Sequence, residues 1–282
     1  MTQRELDGNG SDFVERAFGE GWGEGAGDGS AAGPTRNPWL GGLPGISGVR
    51  AGEQSAQWER EIATYVESVI PLGAADTRAD LGRLLRTFRY LAANSGQLLN
   101  TARAASELGM QAATVRSHVE LLEASFLLIR VEAHRPAEHR VLTAHPRIFA
   151  SDPGLAAWAS RAWASSPSAA LLGSLTESVV AHDLVAVADA HRDRIVVRHW
   201  RDRRNRQEVD LLAVHPDGRL VGIEVKSSTS VGPGDTSGLQ AFMAEAGDAC
   251  VRGIVIYEGD RIVDLTPRGG VRQLLAVPRS AL

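Results

Sequence analysis

Apolar and polar residues along the chain change their period, and the changes divide it. Trp58, Ile62, Tyr65 and Val69 recur at helical spacing, and Pro71 is expected to end that helix. Leu81, Leu84, Leu85, Phe88 and Leu91 give a second apolar face and leave Arg83, Arg86 and Arg89 on its outer surface. Two shorter helical runs, 101–110 and 111–122, meet at Leu108-Gly109-Met110 as a helix-turn-helix. The extended segments 126–131 and 140–143 then supply the strands of a wing. Asp152-Pro153-Gly154 reads as a turn before a short helix from Leu155 to Trp163. A long helix is expected from Ser174 to about His191, opened by a capping box between Ser174 and Glu177, with His182 and Asp183 on its surface.

Past Arg194 the period becomes that of strands. Segment 194–200, the two strands of a hairpin on either side of 215–218, 253–257 and 261–267 are the expected strands, with a helix from Leu239 to Ala246 between the third and fourth. Pro216-Asp217-Gly218 suits a three-residue hairpin loop, because Pro presets the first turn position and Gly supplies the left-handed one. If His215 and Arg219 close that loop, Val209 faces Val225, Leu211 faces Ile223 and Ala213 faces Val221, all apolar pairs. The order predicts an α/β chain: a helical and winged helix-turn-helix region, then an α/β core with a mixed sheet. The divisions are 1–37, a Gly-rich acidic head expected to be disordered; 38–95, helical; 96–150, the winged helix-turn-helix; and 151–282, the α/β domain. Within the second, Trp39–Gly45 reads as a structured turn.

Composition narrows the function classes. A net charge of −4 gives no overall attraction to nucleic acid, so any such binding must come from local basic patches. The single cysteine, Cys250, excludes an internal disulfide framework and fits a reducing compartment. No apolar run reads as membrane-spanning and the N-terminus has no signal-peptide pattern, so a cytoplasmic protein without a membrane partner is expected. The glycines of the head are not followed by Gly-Lys-Ser/Thr, and no ATP hydrolysis is expected.

The polar face of the hairpin holds the candidate chemistry. The same register sets Asp210 opposite Glu224 and Glu208 opposite Lys226, while alternation puts Glu224 and Lys226 on one face. Two carboxylates directly opposed destabilise a sheet. A hard divalent cation such as Mg²⁺ removes that cost, since it takes oxygen ligands and often only one or two protein carboxylates. The plain alternative is a surface hairpin with scattered charges and one ordinary salt bridge. Arg201, Arg203, Arg204 and Arg206 cluster on the loop beside this face, either to grip a phosphate backbone or as a solvated loop. On the second helix of the helix-turn-helix, Arg116 and His118 are the polar candidates for a groove, Glu120 and Glu123 oppose it, and protein contact is the competing role.

Asp210 followed by Glu224-Val225-Lys226 on the adjoining strand resembles the active-site signature of the restriction-endonuclease-like PD-(D/E)XK superfamily. An ordered set of further stretches resembles domain-of-unknown-function family 4143, usually the C-terminal part of predicted AAA-type ATPases. It runs from Gly41-Gly42-Leu43-Pro44 through Gly96-x-x-x-Asn100, Pro146-Arg147-x-Phe149, Glu177, Trp200-Arg201 and Glu208-Val209-Asp210 to Gly238-Leu239. The resemblance covers about Trp39 to the end and implies a helix-turn-helix followed by a restriction-endonuclease-like domain. The ATPase portion of the usual member is absent. On this resemblance Asp210 and Glu224 would hold Mg²⁺ (or Mn²⁺), with the Val225 carbonyl as a third ligand and Glu177 either completing the shell or acting only as a helix cap. Lys226 would orient the attacking water or counter developing charge, unless Glu208 neutralises it, and Gln240 would add a contact to water or phosphate. Two classes of function stay open: a metal-dependent nuclease acting on DNA, and a catalytically silent module binding nucleic acid or protein, such as a separate ATPase.

Overall fold

The computed structural model describes residues 12–19, 21–22, 38–43, 46, 55–75, 79–134, 145–162, 166–202 and 207–282. They fall into two compact units, one built from 36–131 and 145–179, the other from 180–282 with 132–144 and an N-terminal stretch. The first described helix, α1 (Phe13–Phe18), belongs to the second unit.

The first unit is mostly helical. Pro38–Leu40 makes one 3₁₀ turn, and the Trp58 indole N–H donates to the Leu40 carbonyl. The buried carboxylate of Asp152 fixes the next residues, accepting the Gly42 N–H with one oxygen and the Gly154 N–H with the other. Helix α2 (Ser55–Gly73) runs two residues beyond Pro71, correcting the expected stop. A proline in the last turn removes only one amide donor. Helix α3 (Leu81–Ala93) is capped by the Asp80 side chain, which accepts the Arg83 N–H. It buries Leu84, Phe88 and Leu91 and leaves Arg83, Arg86 and Arg89 exposed.

The helix-turn-helix is formed by α4 (Thr101–Leu108) and α5 (Ala112–Ala124). Asn100 caps the first, and Gly109 at φ 64° ends it in the left-handed region that favours glycine. Strand β1 (Leu128–Ala133) follows, and β2 (Arg147–Ala150) pairs antiparallel with it, Leu128 opposite Ala150. The expected wing strand at 140–143 lies outside the described residues. Helix α6 (Pro153–Ala159) starts at the Asp152 cap, so the expected turn is the first turn of this helix. Helix α7 (Ala169–Ala190) passes from one unit into the other, and the division falls inside it. It begins before Ser174, which corrects the capping box: the Ser168 hydroxyl accepts the Leu171 N–H, and the Ser174 hydroxyl, in mid-helix, donates to the Ser95 carbonyl. By length and composition α7 is also apolar enough to cross a membrane, contrary to expectation, although 44% of its most apolar window is buried inside the protein. The core helix of a folded domain meets the same criterion.

The second unit is a mixed sheet with helices packed on it. The last residues of β1 pair parallel with β3 (Val196–Arg201), Glu132 opposite Arg198. Antiparallel neighbours β4 (Glu208–Val214) and β5 (Leu220–Lys226) come next. Helix α8 (Ser237–Ala246) then leads to β6 (Cys250–Tyr257), parallel to β5. Gly222 on β5 lies opposite Gly253 on β6. A side chain at either position would press on α8, on Leu239 and Phe242 in one case and on Met243 in the other, so the glycine pair lets the helix sit close. Strands β7 (Val263–Asp264) and β8 (Gln273–Pro278) finish the sheet, β8 parallel to β6 and β7 antiparallel on its far side.

The head expected to be disordered contains α1, which packs on β5 and β6. Phe13, Val14 and Ala17 are buried, and the Trp22 ring lies 5.5 Å from that of Phe13. The buried Arg252 guanidinium takes the carbonyls of Arg16 and Ala17 at 2.7 and 2.6 Å, and that of Gly19 at 3.3 Å. Arg219 takes the Phe18 carbonyl at 2.9 Å. Two cations thus satisfy the carbonyls that a helix C-terminus leaves open.

Candidate metal and phosphodiester site

The β4–β5 hairpin closes as the sequence predicts. The His215 N–H donates to the Arg219 carbonyl and the Gly218 N–H to the His215 carbonyl, with Gly218 at φ 95°. Asp217 accepts both the backbone N–H and the guanidinium of Arg219, and these bonds, the backbone one first, bring its pKa down to about 2. The expected register holds from the turn outward, with Val214 opposite Leu220, Ala213 opposite Val221 and Leu211 opposite Ile223.

Beyond Leu211 the ladder changes. A continued ladder of that register would send the Val225 N–H to the Val209 carbonyl. Instead it donates to Asp210 Oδ2 at 2.9 Å. The carboxylate has taken the place of a backbone acceptor, so the expected Val209–Val225 pair is absent from the ladder. Asp210 is thereby locked at the end of the hairpin, beside β5.

Glu224 stands on the same side. Its side chain is only 15% exposed. Oε1 accepts from the Lys226 ammonium at 3.1 Å, while Oε2 is buried with no hydrogen-bond partner. Burial first, and then repulsion from Asp210, push the Glu224 carboxyl up to about 7 against the pull of Lys226. For Lys226, burial works against the charge but is outweighed by the carboxylates of Glu224, Asp210 and Asp235, so its pKa rises and it stays a cation. Glu208, expected opposite Lys226, instead lies 3.9 Å from the Arg201 guanidinium on β3. Lys226 is held by Glu224, its neighbour two residues back on the strand.

The donor set suits a hard cation. A buried carboxylate oxygen without a hydrogen-bond partner, close to a second carboxylate, leaves an oxygen donor open, and oxygen donors are what Mg²⁺ and Mn²⁺ take. Among the described residues, no group of three or more His, Cys, Asp or Glu is arranged to hold a metal, so the side-chain donors here are two.

The other expected residues are placed as follows. Glu177 belongs to the first unit, where its carboxylate pairs with the buried guanidinium of Arg147. Gln240 is on α8, and its amide donates to the Thr236 hydroxyl at 2.7 Å, which in turn donates to the Pro233 carbonyl. Arg201 is exposed at the end of β3, while Arg203, Arg204 and Arg206 lie outside the described residues. Arg116 is exposed on α5. His118, proposed beside it for a groove, is instead buried and 2.8 Å from the Thr87 hydroxyl. His182 and Asp183 are not on a solvent face either: the imidazole Nδ1 lies 2.9 Å from the carboxylate, and both side chains are largely enclosed.

Sequence reasoning missed two contributors. Asp235, whose carboxylate accepts the Gly232 N–H, adds negative charge near Lys226. Gly238 lets the first turn of α8 abut the Glu208 carbonyl, and a methyl group added there would collide with that oxygen. Both depend on how α8 packs on the sheet, which no local spacing encodes.

Comparison with known families divides the chain between residues 166 and 172, ahead of the 179/180 boundary of the two compact units. Residues 172–278 match the family described as Domain of unknown function (DUF4143), the family the sequence resembles. The stretch 38–166, expected to belong with it, matches a different one, Domain of unknown function (DUF8612). No curated protein and no solved structure matches the chain.

Proposed function

We propose that the C-terminal domain is a divalent-metal-dependent nuclease that hydrolyses phosphodiester bonds in DNA in the cytoplasm. The observation that carries this reading is Glu224: a buried carboxylate with one oxygen on Lys226 and the other bare, beside Asp210. Asp210 and Glu224 would hold Mg²⁺ or Mn²⁺, with the carbonyl of Val225, next to Glu224 in sequence, as a backbone ligand. The bound ion supplies an acidified water and charge stabilisation at the phosphoryl oxygens. Asp210 anchors itself on the Val225 amide, which fixes the ligand side of β5. Lys226, cationic at neutral pH, orients the attacking water or offsets charge developing on the phosphate. Arg201 and the arginines at 203, 204 and 206 grip the backbone of the strand being cut, and Gln240 adds a contact at the edge. Glu177, engaged by Arg147, plays a structural part.

The helix-turn-helix supports a second role, contact with a protein partner such as a separate ATPase. The exposed residues of α5, Ala113, Arg116, Ser117, Glu120 and Ala124, balance one cation against one anion, a poor match for a polyanion.

Single-stranded, duplex and branched DNA are incubated with the full chain and Mg²⁺ or Mn²⁺, with Glu224→Ala as control. Cleavage by the wild type alone supports the nuclease. No cleavage, or equal cleavage by both, overturns it and leaves the binding module.

A further inference from the structure

Lys226 and Glu224 leave β5 on one face, with their charged ends 3.1 Å apart. The two are unequally held. Both stand on β5 where it pairs with β6, but the Glu224 side chain is 15% exposed on a short stem, whereas that of Lys226 is 30% exposed on a flexible four-carbon one. Lys226 also has other anions within electrostatic reach, Asp210 and Asp235, so leaving Glu224 does not strand its charge.

We propose, on the metal-site reading above, that Lys226 is the site's stand-in cation: in the metal-free protein its ammonium neutralises Glu224, and it yields that carboxylate when a divalent ion arrives. Two cations on one carboxylate repel each other. Lys226 is therefore displaced outward from Glu224, toward the open side where a phosphate would lie. The arrangement orders events. Before loading, the Lys226 ammonium is drawn to Glu224; after loading, the same ammonium is released to meet the scissile group. The pair then acts as an interlock that keeps the lysine from engaging phosphate in an unloaded site.

The test uses the full-length protein and two readouts that need no turnover. Binding of Mn²⁺ is measured from the paramagnetic resonance of the free ion for wild type, Lys226→Gln and Lys226→Arg. Removal of the competing charge should tighten Mn²⁺ binding by about tenfold in Lys226→Gln, and Lys226→Arg, which keeps it, should bind no tighter than wild type. In wild type, the side-chain ammonium resonance of Lys226, the sequence's one lysine, should shift as Mg²⁺ is added, a readout that needs no variant. Equal or weaker Mn²⁺ binding by Lys226→Gln, or an ammonium resonance unmoved while Mg²⁺ binds, overturns the displacement and leaves the metal site standing. Absence of Mn²⁺ binding in all three overturns both.

Discussion

Glu224 carries a carboxylate that water would ionise near pH 4.5, and the sheet holds it where ionisation is expensive. Its folded-state pKa of about 7 lies above the unfolded value, so it stabilises the metal-free protein fully at low pH, and that stability is lost as pH rises through 7. A shift from 4.5 to about 7 is worth roughly 3 kcal/mol. In chelator, urea unfolding of Glu224→Gln should therefore improve on wild type by roughly 2–3 kcal/mol between about pH 5 and pH 8; parallel pH dependence in the two proteins would contradict the buried-acid account. Metal binding takes the ionised form, so Mn²⁺ affinity should climb about tenfold per pH unit below 7 and level off above it, with about one proton released per ion bound below pH 7, measured by calorimetry in buffers of different ionisation enthalpy. At this scale the sequence was readable for Asp210, Glu224 and Lys226, because strand alternation fixes which residues share a face. It misled for His118 and Asp183, since a polar residue inside a helical pattern looks the same whether it meets solvent or a buried partner such as Thr87.

Among elements, the hairpin was legible down to its register because turn chemistry and apolar pairing agree. Its departure from the ladder at Asp210 was not, since a side chain replacing a backbone acceptor leaves no trace in the alternation. Helix α1 was equally hidden: six residues in a Gly-rich setting cannot hold a helix alone, and its stability comes from the sheet and from Arg252. Arg252→Ala should cost roughly 2–3 kcal/mol in chemical unfolding, the range for charge-assisted hydrogen bonds to buried carbonyls. In a chain shortened by residues 1–22, Arg252→Met should instead be neutral or stabilising, because the carbonyls that justify a buried cation are gone. Gly238→Ala should push α8 away from β4, lowering the melting temperature by several degrees, roughly 1–2 kcal/mol, and weakening Mn²⁺ binding by displacing the strand end that carries Glu208 and Asp210.

Across the whole molecule, net charge and site charge point the same way. A chain at −4 with paired carboxylates at its candidate centre repels a polyanion until cations arrive. Duplex DNA binding, read by fluorescence anisotropy, should strengthen about tenfold when Ca²⁺ replaces chelator, and Asp210→Asn should abolish that gain; binding indifferent to Ca²⁺ would point to the helix-turn-helix surface instead. The sequence by itself determined the helix-turn-helix, the hairpin and the acids it carries, because hydrophobic period and turn residues act over a few positions; it gave no sign of α1, β2 or β8. Only the tertiary structure decided that Glu177 belongs to Arg147, that Lys226 answers to Glu224 and not Glu208, and that an N-terminal helix docks on β5 and β6. Those outcomes are set by burial and by charges brought close from distant parts of the chain, and desolvation acts on what surrounds a residue in space, whatever stands beside it in the sequence.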